Sequence, residues 1–483
     1  MKWNKLIVVT LIAGSILAVQ SCEKIENFGD INSNPNATTE PNTAALLTNV
    51  LAGIGNTVWG NGITIQAGLN CQYMSETQYT EASRYQITPP NFTGYFSGTL
   101  YDLQNIILYN TSSPNKAENN GNNANQMAIA RILKAYYFWI VGDTWGDVPY
   151  FDALKGNGAI KYDGLDKIYP DLIKELSEAI AQFVNPTIAI KGDILYGGDV
   201  AKWKKFANSL RMLIALRMSK KAASAGQAAF VAALNDANGV ITSTSENASL
   251  VFPGGVFNHP LYTYYNITQR FDYSLCKTLS DMLNNNGDNR KNVYGSSTIG
   301  FPYGLDRGSA VAFANNNTNW AHVLANSVSQ PTSPVVIVGA ANVYLARAEA
   351  ARLGWTSESA ASMYSLGIQR SWEQWGVYDA TAFATYMASS FVDLSTNADQ
   401  KIGTQTWIAW YPNGTQGWSV WRKTGYPALS PAPSNTPLVP IPRRLPYGPD
   451  EPNLNPANYA PAAAAYTVGG VPNSQDAKIW WDQ

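Results

Sequence analysis

The sequence predicts an all-α protein, a tetratricopeptide-like scaffold of stacked helical hairpins that carries long irregular loops. Three observations support this. Apolar residues recur at helical spacing in segment after segment, glycines stand where several of those segments stop, and the stretches between them are rich in aromatics. Each helix pair can bury its stripe only against its neighbours, so many paired helices imply stacking. No clean repeat of about 34 residues is visible, so the repeat is one of architecture and not of sequence.

The chain opens with Lys2 and Lys5, an uncharged run over 6–19, and Val19-Gln20-Ser21-Cys22. A basic start, a short apolar core and small residues before a cysteine are the parts of an export signal. The run is shorter than the roughly 20 residues a helix needs to cross a bilayer. Residues 1–21 are therefore read as a leader. Residues 22–483 are read as one helical domain with loop insertions and an extended Pro-rich C-terminal segment. The cysteine context resembles the lipobox of bacterial lipoproteins, which would make Cys22 the lipidated first residue of the mature chain. The alternative is an ordinary secretory signal with an incidental cysteine.

Helices are predicted at 43–53, 62–77 and 94–109. Over 125–141, Ile129, Ile132, Leu133, Tyr136 and Ile140 fall on one face, and Gly142 marks the end. Tyr169, Leu172, Ile173, Leu176, Ile180 and Phe183 repeat the pattern, as do Trp203, Phe206, Leu210, Leu213 and Ile214. Further helices are expected at 227–236, 273–285, 341–353, 358–374 and 399–410, with Gly287, Gly354 and Gly376 at ends. Trp203, Phe206, Leu210 and Tyr344 lie on these stripes and are assigned to the core.

The intervening stretches are 78–93, 111–124, 145–163, 239–270, 287–338 and nearly everything after 411. They hold Tyr79, Tyr85, Phe92, Trp145, Tyr262, Tyr264, Phe301, Tyr303 and Trp320. Disordered segments are poor in aromatics, so these are read as ordered loops on a scaffold, where binding residues concentrate. Prolines punctuate 427–456 and force extended backbone. Leu438, Ile441 and Leu445 are expected to anchor that tail on the scaffold.

Composition narrows the chemistry. With 33 basic and 34 acidic residues and no cluster of either sign, the chain lacks the concentrated basic face that nucleic acid requires. Two histidines, His259 and His322, rule out a multi-histidine metal centre and leave little for a Ser-His-Asp triad. Cys71 and Cys276 are either buried free thiols or a single bridge. Charged residues are 14% and aromatics 12%, with Asn crowding the loops. Flat rings beside neutral amides and hydroxyls suit a neutral polyhydroxylated ligand.

Two local patterns have plainer readings. Phe28-Gly29-Asp30-Ile31-Asn32-Ser33-Asn34-Pro35-Asn36 spaces its oxygens like the start of an EF-hand loop, but Pro35 stands where the loop needs glycine. It reads as a polar turn. Asp143 and Asp147 are the best local pair for glycoside hydrolysis, yet carboxylates at a helix end before a turn are more often structural.

Five motifs follow one another along the chain. They are Asp30-Ile31-Asn32-Ser33-Asn34-Pro35-Asn36 after Cys22, and Trp145-Gly146-Asp147-Val148-Pro149-Tyr150. Gly198-Asp199-Val200-Ala201-Lys202-Trp203 leads into Lys204-Lys205-Phe206-Ala207-Asn208-Ser209-Leu210-Arg211, and Tyr344-Leu345-Ala346-Arg347-Ala348-Glu349-Ala350 and Ile441-Pro442-Arg443-Arg444-Leu445-Pro446-Tyr447 follow. In this order they resemble the SusD/RagB-like outer-membrane lipoproteins of Bacteroidetes. Glu23, Lys24 and Glu26 resemble the short charged tract that sends such lipoproteins to the cell surface. The resemblance implies a SusD-like, all-helical, non-enzymatic protein that captures oligosaccharides, or in some branches peptides. It implies outer-membrane anchoring through lipid on Cys22, facing the exterior, and a SusC-like TonB-dependent transporter as partner. No cofactor or metal is implied, and a secreted glycan-degrading enzyme is the reading from another class. By region, the family's ligand face would fall on Tyr79, Tyr85, Asn91 and Phe92 with Tyr303, Arg307, Asn319 and Trp320. Glu349, Arg443 and Arg444 are expected to pair helix to tail.

Overall fold

The computed structural model describes residues 40–483, so the leader, Cys22 and the 28–36 turn lie outside the described residues. The first helices are α1 (Thr43–Ile54) and α2 (Gly62–Asn70). The helix expected over 62–77 stops early: the chain turns through Gln72 at φ 58° and continues as a short strand, β1 (Met74–Glu76). The 94–109 prediction is interrupted at Gly98, which separates a five-residue helix at Thr93–Ser97 from α3 (Thr99–Ser112).

The next helices are α4 (Asn123–Trp145), α5 (Leu165–Gln182), α6 (Val200–Arg217) and α7 (Ala223–Leu234). Gly142 does not end α4. It lies within the helix, where a Cβ would come within 2.8 Å of Leu165 Cδ2, so glycine here permits α5 to approach closely. The stop comes at Gly146, at φ 89°. Asp199 caps α6 by accepting from Lys202 N, and Trp203, Phe206 and Leu210 are fully buried as their stripe requires. Neighbours pack in series, α1 on α3, α3 on α4, α4 on α5, α5 on α6 and α6 on α7.

An insertion over 235–339 follows, with β2 (Ala248–Val251), β3 (Tyr273–Leu275), α8 (Lys277–Asn285), α9 (Arg307–Asn316) and β4 (Pro334–Val338). Residues 273–275 were expected to be helical. They instead pair antiparallel with β1, Met74 opposite Leu275, while β2 pairs with β4. The β1–β3 ribbon fastens the insertion to the scaffold, and β2–β4 ties the two ends of the insertion to each other.

The second half returns to helices: α10 (Ala340–Arg352), α11 (Ala360–Gln374), α12 (Ala380–Met387), α13 (Ala398–Trp410) and α14 (Gly414–Thr424). Gly287, Gly354 and Gly376 follow helix ends at φ 69°, 73° and 68°, as expected of helix-terminating glycines. Tyr344 is half-buried, not core: it packs at the edge of the core with the Arg347 guanidinium 4.7 Å above its ring. α10 packs on α11, α13 and α6, and α14 packs on α13 and α2, so the late helices close against the early ones.

The stretch after 411 is not wholly irregular, since it contains α14 and, near its end, α15 (Pro456–Ala465). The tail does wrap the scaffold. Leu445 N donates to Thr144 O, Arg444 Nε to Trp145 O, and Trp481 Nε1 to Asp143 Oδ1, each at 2.9 Å. Ile441 and Leu445 are buried anchors, but Leu438 is exposed. Arg443 pairs with Asp482 inside the tail, and Glu349 pairs with Lys423 of α14, joining helix to helix. Cys71 and Cys276 are free and buried.

Candidate functional site

The β1–β3 pairing lays the loop after β1 against the insertion. Thr77 N donates to Asp272 O at 2.9 Å and its hydroxyl to Phe271 O at 2.7 Å. Asp272 ties the junction, accepting from Gln78 Nε2, Arg270 Nε and the Tyr264 hydroxyl. Burial pushes its carboxyl up, but these bonds outweigh burial and hold it below the usual carboxylate range.

On the solvent side of this junction Tyr79 is about half exposed, and the Arg307 guanidinium, at the start of α9, lies 5.8 Å from its ring centre. Asp306 caps α9 by accepting from Ser309 N. Further along α9, Phe313 meets Phe301 edge-on at 4.8 Å, and half-buried Trp320 meets the same Phe301 at 5.8 Å and 90°. Trp320 also touches His322 at 5.1 Å, and His322 stacks on Tyr265 at 4.5 Å with the planes 9° apart. Exposed Phe271 completes the set, 5.3 Å from His322. Burial lowers the His322 pKa, so the ring is neutral near pH 7. Asn319 is exposed beside Trp320, with its carbonyl accepting from the Ser297 hydroxyl at 2.6 Å. Tyr79, Arg307 and Asn319 are thus exposed and Trp320 half-buried on the loops around α9.

The other four expected residues are turned elsewhere. Phe92 is 3% exposed and lies among Trp145, Tyr162 and Tyr447, where the returning tail covers it. Tyr85 and Tyr303 are buried next to each other, and the Tyr85 hydroxyl accepts from Ala432 N at 3.1 Å, so Tyr85 braces the tail. Asn91 uses Oδ1 to accept from Thr93 N and Nδ2 to donate to Asp450. A loop address is compatible with either role. Burial by a segment more than three hundred residues away could not be read locally.

Phe271 and His322 share this row of rings but are not among the residues expected from sequence. Histidine in a sequence points first to metal ligation or base catalysis, and Phe271 stands just before a segment expected to be helical. The alternation Trp320-Ala321-His322 was the available signal, since it puts both rings on one side of an extended chain.

The carboxylate pair is fully engaged. Asp143 accepts from the Tyr169 hydroxyl, Trp481 Nε1 and the Ser419 hydroxyl, with Arg217 Nε at 3.6 Å. Asp147 accepts from the Tyr466 hydroxyl and Leu165 N, and burial raises its pKa. Both carboxylates join the tail to the scaffold.

Comparison with known proteins agrees with this architecture. A solved chitin-binding protein superposes with a TM-score of 0.77 at 27% identity, over 91% of this chain and 100% of its own. A SusD homologue from Bacteroides uniformis gives 0.76 at 24%, over 91% and 99%. A chitin-binding SusD homologue from Flavobacterium johnsoniae gives 0.73 at 21%, over 91% and 98%. No curated protein matches the sequence. The family model SusD-like_2, described as starch-binding and associating with the outer membrane, matches residues 35–448. The chain belongs to the SusD-like family.

Proposed function

We propose that the protein is a cell-surface lipoprotein that binds a neutral oligosaccharide on the face carrying Tyr79, Arg307, Asn319, Trp320, His322 and Phe271. It then passes the glycan intact to a SusC-like TonB-dependent transporter. The observation that carries this reading is the open row of rings from Trp320 through His322 to Phe271, which sits beside neutral amides and is fixed from behind by Tyr265 and Phe301. Ring faces stack on sugar faces while amides and the guanidinium bond hydroxyls, and none of these groups supplies the paired carboxylates that cleavage needs. Family membership and the chitin-binding relative at 27% identity support a glycan as cargo and make chito-oligosaccharides the first to try.

Calorimetric titration of the purified protein with chito- and malto-oligosaccharides and short peptides, with products checked afterwards, tests the reading. Trp320→Ala is expected to weaken glycan binding about tenfold or more, with the melting temperature unchanged. Cleaved products would favour an enzyme, and binding of peptides alone would change the cargo.

Within the same proposal, residues 1–21 are a removed leader and the acyl chains on Cys22 hold the protein on the outer membrane, at about 0.8 kcal/mol per buried methylene. Cys22→Ser is expected to lose palmitate labelling and leave the membrane fraction. Retention there without label would overturn the anchor.

A further inference from the structure

A second concavity shares no residue with the aromatic row. It is a cavity of about 260 Å³ where the C-terminal ends of α6, α10 and α14 meet the start of α13. That is small beside the roughly 300–1,000 Å³ of sites for drug-sized ligands, and it suits a molecule of about one sugar ring. Three cations line it, Lys220, Arg352 and Lys423, against two carboxylates, Glu349 and Asp399. Cations in the last turns of helices offset the helix dipole, which accounts for the positions of Arg352 and Lys423. It leaves open what their remaining donors bond.

Both carboxylates are only half used. Buried Lys423 pairs with Glu349 Oε1, and Arg352 Nε donates to Asp399 Oδ1 at 2.9 Å. Among the described residues nothing bonds Glu349 Oε2 or Asp399 Oδ2. Arg352 likewise keeps both Nη groups unbonded within the described chain, and its side chain is 46% exposed. Lys220 is exposed, and no described residue bonds or ion-pairs its ammonium. Lys478 and Arg443 stand near enough to repel its charge, and Asp482 and Glu349 near enough to attract it, yet neither carboxylate reaches bonding distance. The cavity thus offers accessible donors on two cations and accessible acceptors on two anions.

We propose that this cavity binds a sugar ring bearing one carboxylate, a uronic acid, with the carboxylate held by Lys220 and Arg352 and the ring hydroxyls donating to Glu349 and Asp399. One unbalanced positive charge calls for a ligand with one negative charge. The two Nη groups of an arginine match a planar carboxylate as a fork, and an ammonium adds a further charged contact. Carboxylate oxygens only accept, so the rest of the ligand must donate, and hydroxyls donate without adding charge. A simple aliphatic acid would meet only the cations, and a neutral sugar chiefly the carboxylates.

A matched series of probes separates these requirements: D-glucuronate, D-glucose without the charge, propionate without the hydroxyls, and glucose 6-sulfate with a tetrahedral anion. Ligand-observed NMR titration of the purified protein is expected to show glucuronate binding about tenfold or more tighter than each of the others. A crystal soaked with glucuronate should show its carboxylate at Lys220 and Arg352. Lys220→Gln removes only an exposed charge without a partner, so melting temperature and neutral-glycan binding should hold while glucuronate binding weakens about tenfold. Trp320→Ala should leave glucuronate binding unchanged, which separates the cavity from the aromatic row. Glucuronate binding no tighter than any other probe, affinity unmoved by Lys220→Gln, or binding lost with Trp320→Ala would overturn the proposal.

Discussion

Glu76 shows how one buried residue sets the behaviour of the loop that carries Tyr79. It ends β1, and its Oε2 accepts from Ser83 N at 2.7 Å, closing the turn that carries Tyr79. Burial pushes the carboxyl up to about 7, nearby Glu81 pushes in the same direction, and the bonds at Ser83 oppose both. The folded-state pKa is therefore above the unfolded one. Such a group contributes stability fully below the unfolded carboxylate range and loses it as pH rises through about 7. Glu76→Gln keeps an acceptor for Ser83 N without the charge. Denaturant unfolding is expected to show the variant more stable than the parent by about 1–3 kcal/mol at pH 8, with the difference vanishing near pH 4. A constant difference across that range would assign the effect to packing.

At the scale of elements, α2 and α14 meet closely enough that only glycine fits. A Cβ on Gly414 would lie 2.3 Å from Thr64 O and 2.4 Å from Gly68 N, both backbone atoms that cannot swing aside. Gly414→Ala is expected to cost about 1–3 kcal/mol or more in denaturant unfolding, since the two helices must part. This contact also explains which elements the sequence disclosed. The α5 and α6 stripes were legible because long apolar side chains at helical spacing are a local signal. α14 reads Gly414-Thr415-Gln416-Gly417-Trp418, poor in helix formers, and it is helical because close packing rewards small residues there. β1 and β3 have three residues each, too few to show a period of two, and only their mutual pairing makes them strands. The site divides the same way. Tyr79 and Trp320 were legible as loop aromatics, whereas the inward turn of Tyr85 and Phe92 depended on a tail that no local pattern could place.

At the scale of the molecule, the early and late helices are held together by their shared contact with the tail. Trp481 is fully buried, donating to Asp143 of α4 and lying under the guanidinium groups of Arg217 in α6 and Arg422 in α14, at 5.4 and 4.9 Å. Asp482 is 1% exposed and paired with Arg443. Deleting residues 479–483 removes this wedge. It is expected to destabilise the protein by at least about 3–5 kcal/mol, the scale of one buried tryptophan, read as a lowered denaturation midpoint. An unchanged midpoint would show that the scaffold closes without it. Because a polypeptide is made from its N-terminus, residues 479–483 emerge after every helix they join. Until they arrive, Asp143 lacks the Trp481 donor and Arg443 lacks its Asp482 partner. The seam is thus ordered in time as well as in space, since residues 479–483 are made after all the helices they join.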